Sequence, residues 1–315
     1  MSDTIIGQTE PTLPGLAPEP LRERNASLWA DARRDLIRNP TFVIAAVYVL
    51  IVASMATVPQ LWTRIHYRTC ELTNAQGLPN AKLPMFSPGH WLGTSEVGCD
   101  YWSLSVYGAR PSMLIAVMST FGIVAIGLPL GVLAGYFGGW LDAVISRLVD
   151  IVFALPFLLV GLVVLSIIKV TDPNQRIWTV TLFLVLLGWT TVARIMRGSV
   201  ISVKNLDFVM AAKALGASHG RLMFRHILPN AIAPVFVIAT VALGGFVATE
   251  ATLTFLGVGL QAPAASWGIM ISSHQPLIND YPHLVLIPCA LLIGTVLSFV
   301  LIGDALRDAL DPKLR

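Results

Sequence analysis

Long uncharged windows dominate the hydrophobic pattern of this chain. A helix needs about 20 mostly apolar residues to cross the hydrocarbon core of a bilayer. Windows of about this length without an internal Asp, Glu, Lys or Arg occur at residues 41–58, 111–141, 150–169, 177–193, 230–249 and 284–303. The pattern predicts an all-α fold, that of a polytopic membrane protein with six transmembrane helices.

Two uncharged stretches do not fit a straight span. Window 111–141 is too long for one, and its end, the string GYFGGW at 135–140, favours an interfacial turn. Residues 251–279 also lack charge, but they contain three glycines and two prolines. Broken backbone at membrane depth is tolerated only where protein or a water-filled cavity satisfies it. We therefore interpret 251–279 as a partly buried or re-entrant loop that does not span.

Composition and charge agree with a membrane protein and orient it. The chain is 55% hydrophobic and 12% charged, whereas soluble domains carry about 25% charged residues. With the N-terminus inside, 15 of the 21 Lys and Arg residues lie in cytoplasmic segments and 6 in outer ones. Because cytoplasmic loops hold the excess of positive residues, both termini are predicted to be cytoplasmic. The net charge of +3 then reflects topology, and no nucleic-acid partner is expected.

Three segments outside the first span have their own character. Residues 1–24, which begin with a proline-rich stretch without Lys or Arg, predict a disordered cytoplasmic tail. Residues 25–40 predict an amphipathic helix in the inner interface, ended by Pro40, although a solvated linker is the alternative. Residues 59–110 predict a large outer loop rich in Gly, Pro and Asn.

The outer loop contains two of the three cysteines, Cys70 and Cys99. On the outer side they would face an oxidising compartment, in which disulfides persist. A disulfide between them and two unpaired thiols are both compatible with the sequence. Cys289, inside the sixth window, is interpreted as a small apolar filler.

Residues for catalysis, metal binding or nucleotide binding do not cluster in the sequence. The six histidines are scattered without an HExxH pair, and no GxxxxGK[ST] phosphate loop is present. We therefore expect no metal site, no cofactor bound by this chain and no ATP hydrolysis by it. Asp150 and Glu250 lie at the ends of predicted spans, where they could serve as structural polar groups or line a pore.

The segment at 203–229, between the fourth and fifth spans, has a distinct local design. Asp207 could cap a short alanine-rich helix, Gly216 could end it in the left-handed conformation, and Ser218 could cap a second short helix that Pro229 stops. Two short helices of this kind would form a compact knob able to seat in a groove of another protein. An ordinary amphipathic connector is the alternative.

Several strings resemble known membrane subunits. Ala211-Ala212, Gly216 and Ile227-Leu228-Pro229 resemble the EAA loop of binding-protein-dependent ABC import permeases. The strings LAGYFGGWLD, RLVDIVFALP, GWTTVARIMRG, LTFLGVGLQAPAASWG and IGDALRDALDPKLR are similar to the C-type permease subunits of dipeptide and oligopeptide importers. The early string SLWADARRDLIRNP is similar to the oligopeptide members, so the resemblance covers nearly everything after about residue 27. It makes residues 111–315 a permease core with five of the transmembrane helices and the EAA loop.

The resemblance implies a five-part machine in the inner membrane of a bacterial cell. Its parts would be this non-catalytic permease, a second homologous permease, two P-loop ATPases that bind ATP and Mg, and an extracytoplasmic solute-binding protein. The EAA loop would be the coupling helix that docks on one ATPase. The residues assigned to this coupling role are Asp207, Phe208, Met210, Ala211, Ala212, Lys213, Ala214, Leu215, Gly216 and Ala217.

The resemblance does not single out one substrate class for this machine. Subunits of this type import dipeptides, longer peptides, nickel chelates or glutathione. A membrane enzyme that uses Asp150 or Glu250, and a scaffold without transport, are the alternatives from other classes.

Two positions depart from the family's motifs. Met210 stands where the EAA motif has its leading Glu, so a polar contact from that Glu would be lost or replaced. The outer motif GTDxxGRD reads GTSEVGCD at 93–100, with Cys99 at the Arg position. Together with the long preceding insert, this departure implies a remodelled outer surface.

Overall fold

The computed structural model describes residues 28–73, 77 and 79–310, with side chains from residue 33 onward. The predicted tail at 1–24 therefore lies outside the described residues. In chain order the helices are α1 Leu28–Arg38, α2 Pro40–Thr57, α3 Tyr101–Phe137, α4 Gly139–Ala154, α5 Phe157–Ile167, α6 Pro173–Lys204, α7 Asp207–Ala214, α8 His219–Arg221, α9 Leu228–Ala231, α10 Ala233–Phe255, α11 Trp267–His274 and α12 His283–Leu310. A π-helical turn, Leu222–Ile227, joins α8 to α9.

Five of the described helices are long and apolar enough to cross a membrane. They are α2, α3, α6, α10 and α12. A sixth crossing is available if α4 and α5, which are bent by 82° at a short break, count as one broken span. The predicted all-α polytopic fold is confirmed, and the first span agrees with the predicted 41–58 to within one residue.

The third span differs from the straight helix predicted at 150–169. Helix α4 begins at Gly139 and ends at Ala154, where Leu155 and Pro156 take extended conformations. The following α5 has 11 residues and rises about 16 Å, which is too short for a hydrocarbon core of about 30 Å. Pro156 has no backbone N–H and fixes its own φ, so the helix breaks there.

The outer loop is shorter than the predicted 59–110, because α3 begins at Tyr101. The buried Asp100 caps this helix, and its Oδ2 accepts hydrogen bonds from the Ser103 backbone N–H and hydroxyl, each at 2.8 Å. The predicted window begins after the charge of Arg110 and therefore does not include the first turns of α3. The span therefore extends ten residues further outward than predicted, and α3 contains 37 residues.

The first membrane helix, α2, also begins with a capping residue. Asn39 Oδ1 accepts a hydrogen bond from the Thr41 backbone N–H at 3.0 Å, and Pro40 occupies the first turn of α2. Proline is favoured there because its missing N–H would be unpaired in any case. The predicted helix at 25–40 corresponds to α1, which ends at Arg38 and packs against α12.

Helices α3 and α6 form the closest pair in the fold. Gly127, Gly131 and Gly135 are spaced four residues apart and lie on one face of α3. A Cβ on Gly131 would lie 2.6 Å from the Ala193 carbonyl oxygen and 2.7 Å from Met196 Cβ. Small residues at this spacing let two membrane helices approach closely. The three glycines therefore bring the backbones of α3 and α6 close together.

The outer loop is closed by a disulfide between Cys70 and Cys99, which are 29 residues apart in the sequence. Main-chain hydrogen bonds hold its two arms together, including Glu71 N–H to Gly98 O at 3.3 Å and Lys82 N–H to Ser95 O at 3.0 Å. Cys99 is buried and Cys70 is exposed. The loop thus forms a stapled cap on the outer end of α3.

We expect the cysteines of the outer loop to resist alkylation in protein denatured without reductant. Mass spectrometry should show one modified thiol, Cys289, without reductant, and three modified thiols after reductant opens the Cys70–Cys99 disulfide. In the chain-entropy model, replacing Cys70 and Cys99 by serine should destabilise the loop by about 3 to 4 kcal/mol. Cys289 is the internal control for complete labelling, since it is the free cysteine of the structure. Three modified thiols without reductant would contradict the disulfide.

Candidate functional site

The candidate site is the segment between the two long helices α6 and α10, with α7 at its centre. Helix α7 begins at Asp207, and the residue before it, Leu206, occupies the cap position without a side-chain hydrogen bond. The prediction that Asp207 caps the helix is therefore wrong. As the first residue of α7, its carboxylate still lies next to the positive end of the helix dipole, where a negative charge is favourable.

One face of α7 is anchored in the protein and the other is open. Val209 is buried in the main hydrophobic core and Ala212 packs against that core. Exposed apolar side chains occur on and beside α7, and we call this set, Leu206, Phe208, Met210, Leu215 and Phe224, the coupling surface. Leu215 has 89% of its surface exposed. An isolated helix of eight residues is marginal in water, so the Val209 anchor is needed to order it.

The other residues assigned to the coupling role surround this surface. Ala217 is half-buried against the core. Asp207, Ala211, Lys213, Ala214 and Gly216 are exposed. The ten predicted residues therefore share one short helix and its end, with only Ala212 and Ala217 turned toward the protein.

The end of α7 follows the predicted design. Gly216 has a φ of +80° and its N–H donates to the Lys213 carbonyl at 3.0 Å. The Ala217 N–H donates to the Ala212 carbonyl at 3.1 Å. Nothing lies within 4 Å of the position that a Gly216 Cβ would take, so the need for glycine comes from the backbone conformation alone.

The second short helix agrees with the prediction at its start and differs at its end. Ser218 caps α8, its Oγ accepting from the Arg221 N–H at 3.5 Å. The prediction that Pro229 stops the second short helix is wrong. It lies in the first turn of α9, where a missing N–H is tolerated, and the chain continues through Ile232 into α10.

The segment is tied to the C-terminal parts of α3 and α6. Lys204 Nζ donates to the Gly135 carbonyl at 2.7 Å, and the Tyr136 hydroxyl lies 2.7 Å from His219 Nδ1. The Ser199 hydroxyl donates to the Ala231 carbonyl at 2.7 Å. Two of these hydrogen bonds join α8 and α9, which follow α7 in the segment, to α3 and α6. The sequence interpretation missed this link, although Tyr136 lies in the GYFGGW turn.

Asp150 and Glu250 lie in different environments. Asp150 is exposed on α4, and its Oδ1 lies 2.9 Å from Arg194 Nη2 in an exposed ion pair. Glu250 is fully buried on α10, where Oε2 accepts from the Ser112 hydroxyl at 2.7 Å and Oε1 from the Thr254 hydroxyl at 2.9 Å. Burial and these two hydrogen bonds favour the structural polar role that the sequence offers for Glu250. Among the described residues the two carboxylates share no hydrogen-bond partner.

A buried cation on the outer side was also missed. Arg176, in the first turn of α6, donates to the carbonyls of Gly259, Ile168, Leu165 and Val258 at 2.8, 2.8, 3.3 and 2.5 Å. The sequence interpretation counted this residue only as one of the outer positive charges. Its guanidinium holds the loop after α10 against the end of α5 and the start of α6. This loop belongs to the stretch at 251–279 that the sequence predicts not to span.

Comparison with known proteins shows the family of this chain. The family model described as "Binding-protein-dependent transport system inner membrane component" matches residues 127–315, which include the whole coupling segment. The chain belongs to this family. The matched range includes the end of α3 from residue 127 onward, α6 and α7, whereas the first part of α3 and the stapled outer loop lie outside it.

Relatives of this permease family match almost the whole chain. The "Oligopeptide transport system permease protein OppC" of Bacillus subtilis (strain 168) is 34% identical over 297 residues, or 94% of this chain and 93% of that protein. The "Dipeptide transport system permease protein DppC" of Alkalihalophilus pseudofirmus is 35% identical over 314 residues, or 98% and 99%. The fold resembles the solved MetNI methionine ABC transporter in an inward-facing conformation, with a TM-score of 0.52 and 21% identity over 65% of this chain and 96% of that one.

Proposed function

We propose that this chain is one of the two membrane-spanning subunits of an ATP-driven importer of peptides. The observation that carries this proposal is the near full-length match to permease proteins named for oligopeptide and dipeptide transport. The exposed apolar coupling surface supports it, because such a surface on a short helix suits docking into a groove of a partner.

The assembly that follows has five parts. A second homologous permease completes the pore, two P-loop ATPases bind ATP and Mg, and an extracytoplasmic solute-binding protein delivers the peptide. This chain carries no catalytic residue in the proposal and binds no cofactor. The excess of positive residues in its inner segments supports cytoplasmic termini in a bacterial inner membrane.

Alternating access would then run through the coupling segment. ATP binding moves the ATPases, and α7 moves with them because its coupling surface is seated there. The hydrogen bonds of Lys204 to Gly135 and of Tyr136 to His219 carry this displacement to α3. Nucleotide state and pore state are thereby coupled, typically by about 1 to 3 kcal/mol.

Copurification and uptake test the proposed function. A tagged form of this chain, expressed with its neighbouring genes, should copurify with a second permease and with P-loop ATPases in stoichiometric amounts. Proteoliposomes of that complex should take up labelled peptide only with ATP and the binding protein. Uptake of a nickel chelate or of glutathione, without uptake of other peptides, would replace the peptide assignment. A chain that copurifies with no ATPase would contradict the importer itself.

Replacing Gly216 by valine should lower peptide transport and stimulated ATP hydrolysis together. Valine is strained at a φ of +80°, so the end of α7 must change and the coupling surface no longer fits its partner. We expect a loss of about fivefold or more in both rates, the lower end of typical coupling energies.

The matched control for this variant is Gly220→Val. Gly220 lies in α8, also has nothing within 4 Å of its Cβ position, and has no positive φ. It should retain most of the transport and ATPase rates. Equal rates for Gly216→Val and the unmodified importer would refute the coupling role of α7.

A further inference from the structure

An open cavity of about 510 Å³ lies at the outer ends of α3 and α6. Three parts of the chain that are distant in sequence surround it: the outer loop at His66 to Arg68, α3 at Tyr107 to Leu114, and the start of α6 at Pro173 to Ile177. Ala264 and Ala265, from the loop that Arg176 holds in place, complete the wall. We call this space the outer cavity. Its volume is within the range of about 300 to 1,000 Å³ that is usual for small-molecule sites.

Aromatic rings form one wall of the outer cavity. The ring centroids of His66 and Tyr67 are 4.7 Å apart, and each lies 5.1 Å from the centroid of Tyr107. Each ring therefore contacts the other two, although they come from a loop and from a helix. A cluster of this kind offers a rigid, flat surface on which a peptide plane or a side chain can pack.

Two guanidinium groups lie beside this wall. Arg68 Nε donates to the Tyr67 hydroxyl at 3.0 Å, and its guanidinium carbon lies 5.4 Å from the Tyr67 ring centroid. Arg110 is exposed at the same cavity. Among the described residues neither arginine forms an ion pair, and no residue that lines the cavity is acidic. The carboxylate of Asp172, which precedes Pro173 of the cavity wall, accepts hydrogen bonds from the backbone N–H groups of Asn174 and Gln175.

We propose that the outer cavity binds the terminal carboxylate of a peptide as it enters the pore from the outer side. Arg110 and Arg68 would receive the carboxylate through charge-assisted hydrogen bonds, and the aromatic wall would hold the last peptide unit. The proposal deepens the proposed function and rests on it. It adds to this permease a binding site for a feature that all unmodified peptides share, so the site accepts peptides of different sequence.

The chemistry of the wall supports a carboxylate over a neutral ligand. Two arginines facing one open space repel each other, and an anion placed between them removes that repulsion. Guanidinium groups match the geometry of a carboxylate, which can accept two parallel hydrogen bonds from each. Arg68 uses only Nε in its contact with Tyr67, so its two terminal nitrogens can donate to a carboxylate, and Arg110 is exposed at the cavity.

The test compares a peptide acid with its C-terminal amide in proteoliposomes of the complete importer. Each form is bound to the solute-binding protein beforehand, so that capture from solution does not limit uptake. In Arg110→Gln, Arg68→Gln and the double variant, uptake of the acid should fall about tenfold, the scale of losing a hydrogen bond to a charged group. Uptake of the amide should stay unchanged. Arg64→Gln is the control, because Arg64 lies in the same loop and does not line the cavity.

The outcomes separate this site from other roles of the two arginines. An equal loss for acid and amide would overturn the carboxylate site, since a docking contact for the binding protein or an anionic lipid headgroup would affect both forms alike. Unchanged uptake of both would also overturn it. If the unmodified importer takes up neither form, the proposed function fails, which is a different result from failure of the site in an active importer.

Discussion

Replacing Gly131 by leucine should prevent the permease core from forming its native helix pair. A Cβ at this position would lie 2.6 Å from a backbone carbonyl of α6, so α3 and α6 must separate to admit it. Overpacking a well-packed site destabilises a protein by about 1 to 3 kcal/mol. The obstacle here is a backbone carbonyl, which cannot move aside as a flexible side chain can, so we expect a destabilisation of about 3 kcal/mol or more. We expect a large loss of yield and of thermal stability in detergent.

The control for Gly131→Leu is Gly198→Leu. Gly198 is an exposed residue of α6, with nothing within 4 Å of its Cβ position. The added side chain is the same, and the helix is one of the same pair. A melting temperature of Gly131→Leu equal to that of Gly198→Leu would show that the close α3–α6 contact is not required.

Replacing Arg176 by methionine should detach the loop after α10 from the outer ends of α5 and α6. The change removes hydrogen bonds to four carbonyl groups in a buried site, two of them from Val258 and Gly259 in that loop. Each buried acceptor left unpaired costs about 1 to 3 kcal/mol, so we expect a loss of at least about 3 kcal/mol in unfolding free energy. Thermal unfolding in detergent measures the stability, and limited proteolysis after Val258 measures the release of the loop.

Two further variants identify the cause of that loss. Arg176→Lys keeps the charge but cannot reach four carbonyls from one ammonium group, so it should recover only part of the stability. Arg194→Met removes an arginine from the same helix whose ion pair with Asp150 is exposed, and exposed pairs contribute about 0 to 1 kcal/mol. An Arg176→Met variant as stable as Arg194→Met would contradict the anchoring role.

Several site residues could be predicted from the sequence because their signals are local. Gly216 was assigned a left-handed conformation from its place after an alanine-rich run, and its φ is +80°. Ser218 was assigned as a helix cap on the same grounds and is one. Asp207 had the same kind of signal, yet Leu206 takes the cap position. Neighbouring residues can compete for the cap position within a single turn, and the local pattern does not decide which of them takes it.

The close packing of α3 also has a local signal in the sequence. Gly127, Gly131 and Gly135 repeat every four residues, which places them on one face of a helix. That spacing is a known sign of close helix packing in membranes and would have predicted the face of α3 that meets its partner. It would not have named α6 as the partner.

The sequence by itself determined the class of the protein, the order of its membrane helices and the position of the coupling segment. These follow from runs of apolar residues and from turn residues, which act within a few positions of the chain. Only the tertiary structure decided the anchoring of Arg176 and the outer cavity. Each of these depends on residues far apart in the sequence, such as Arg176 and Gly259, which are separated by 83 positions. A hydrogen bond or a cavity wall between such residues exists only after the helices have packed, and no local pattern encodes it.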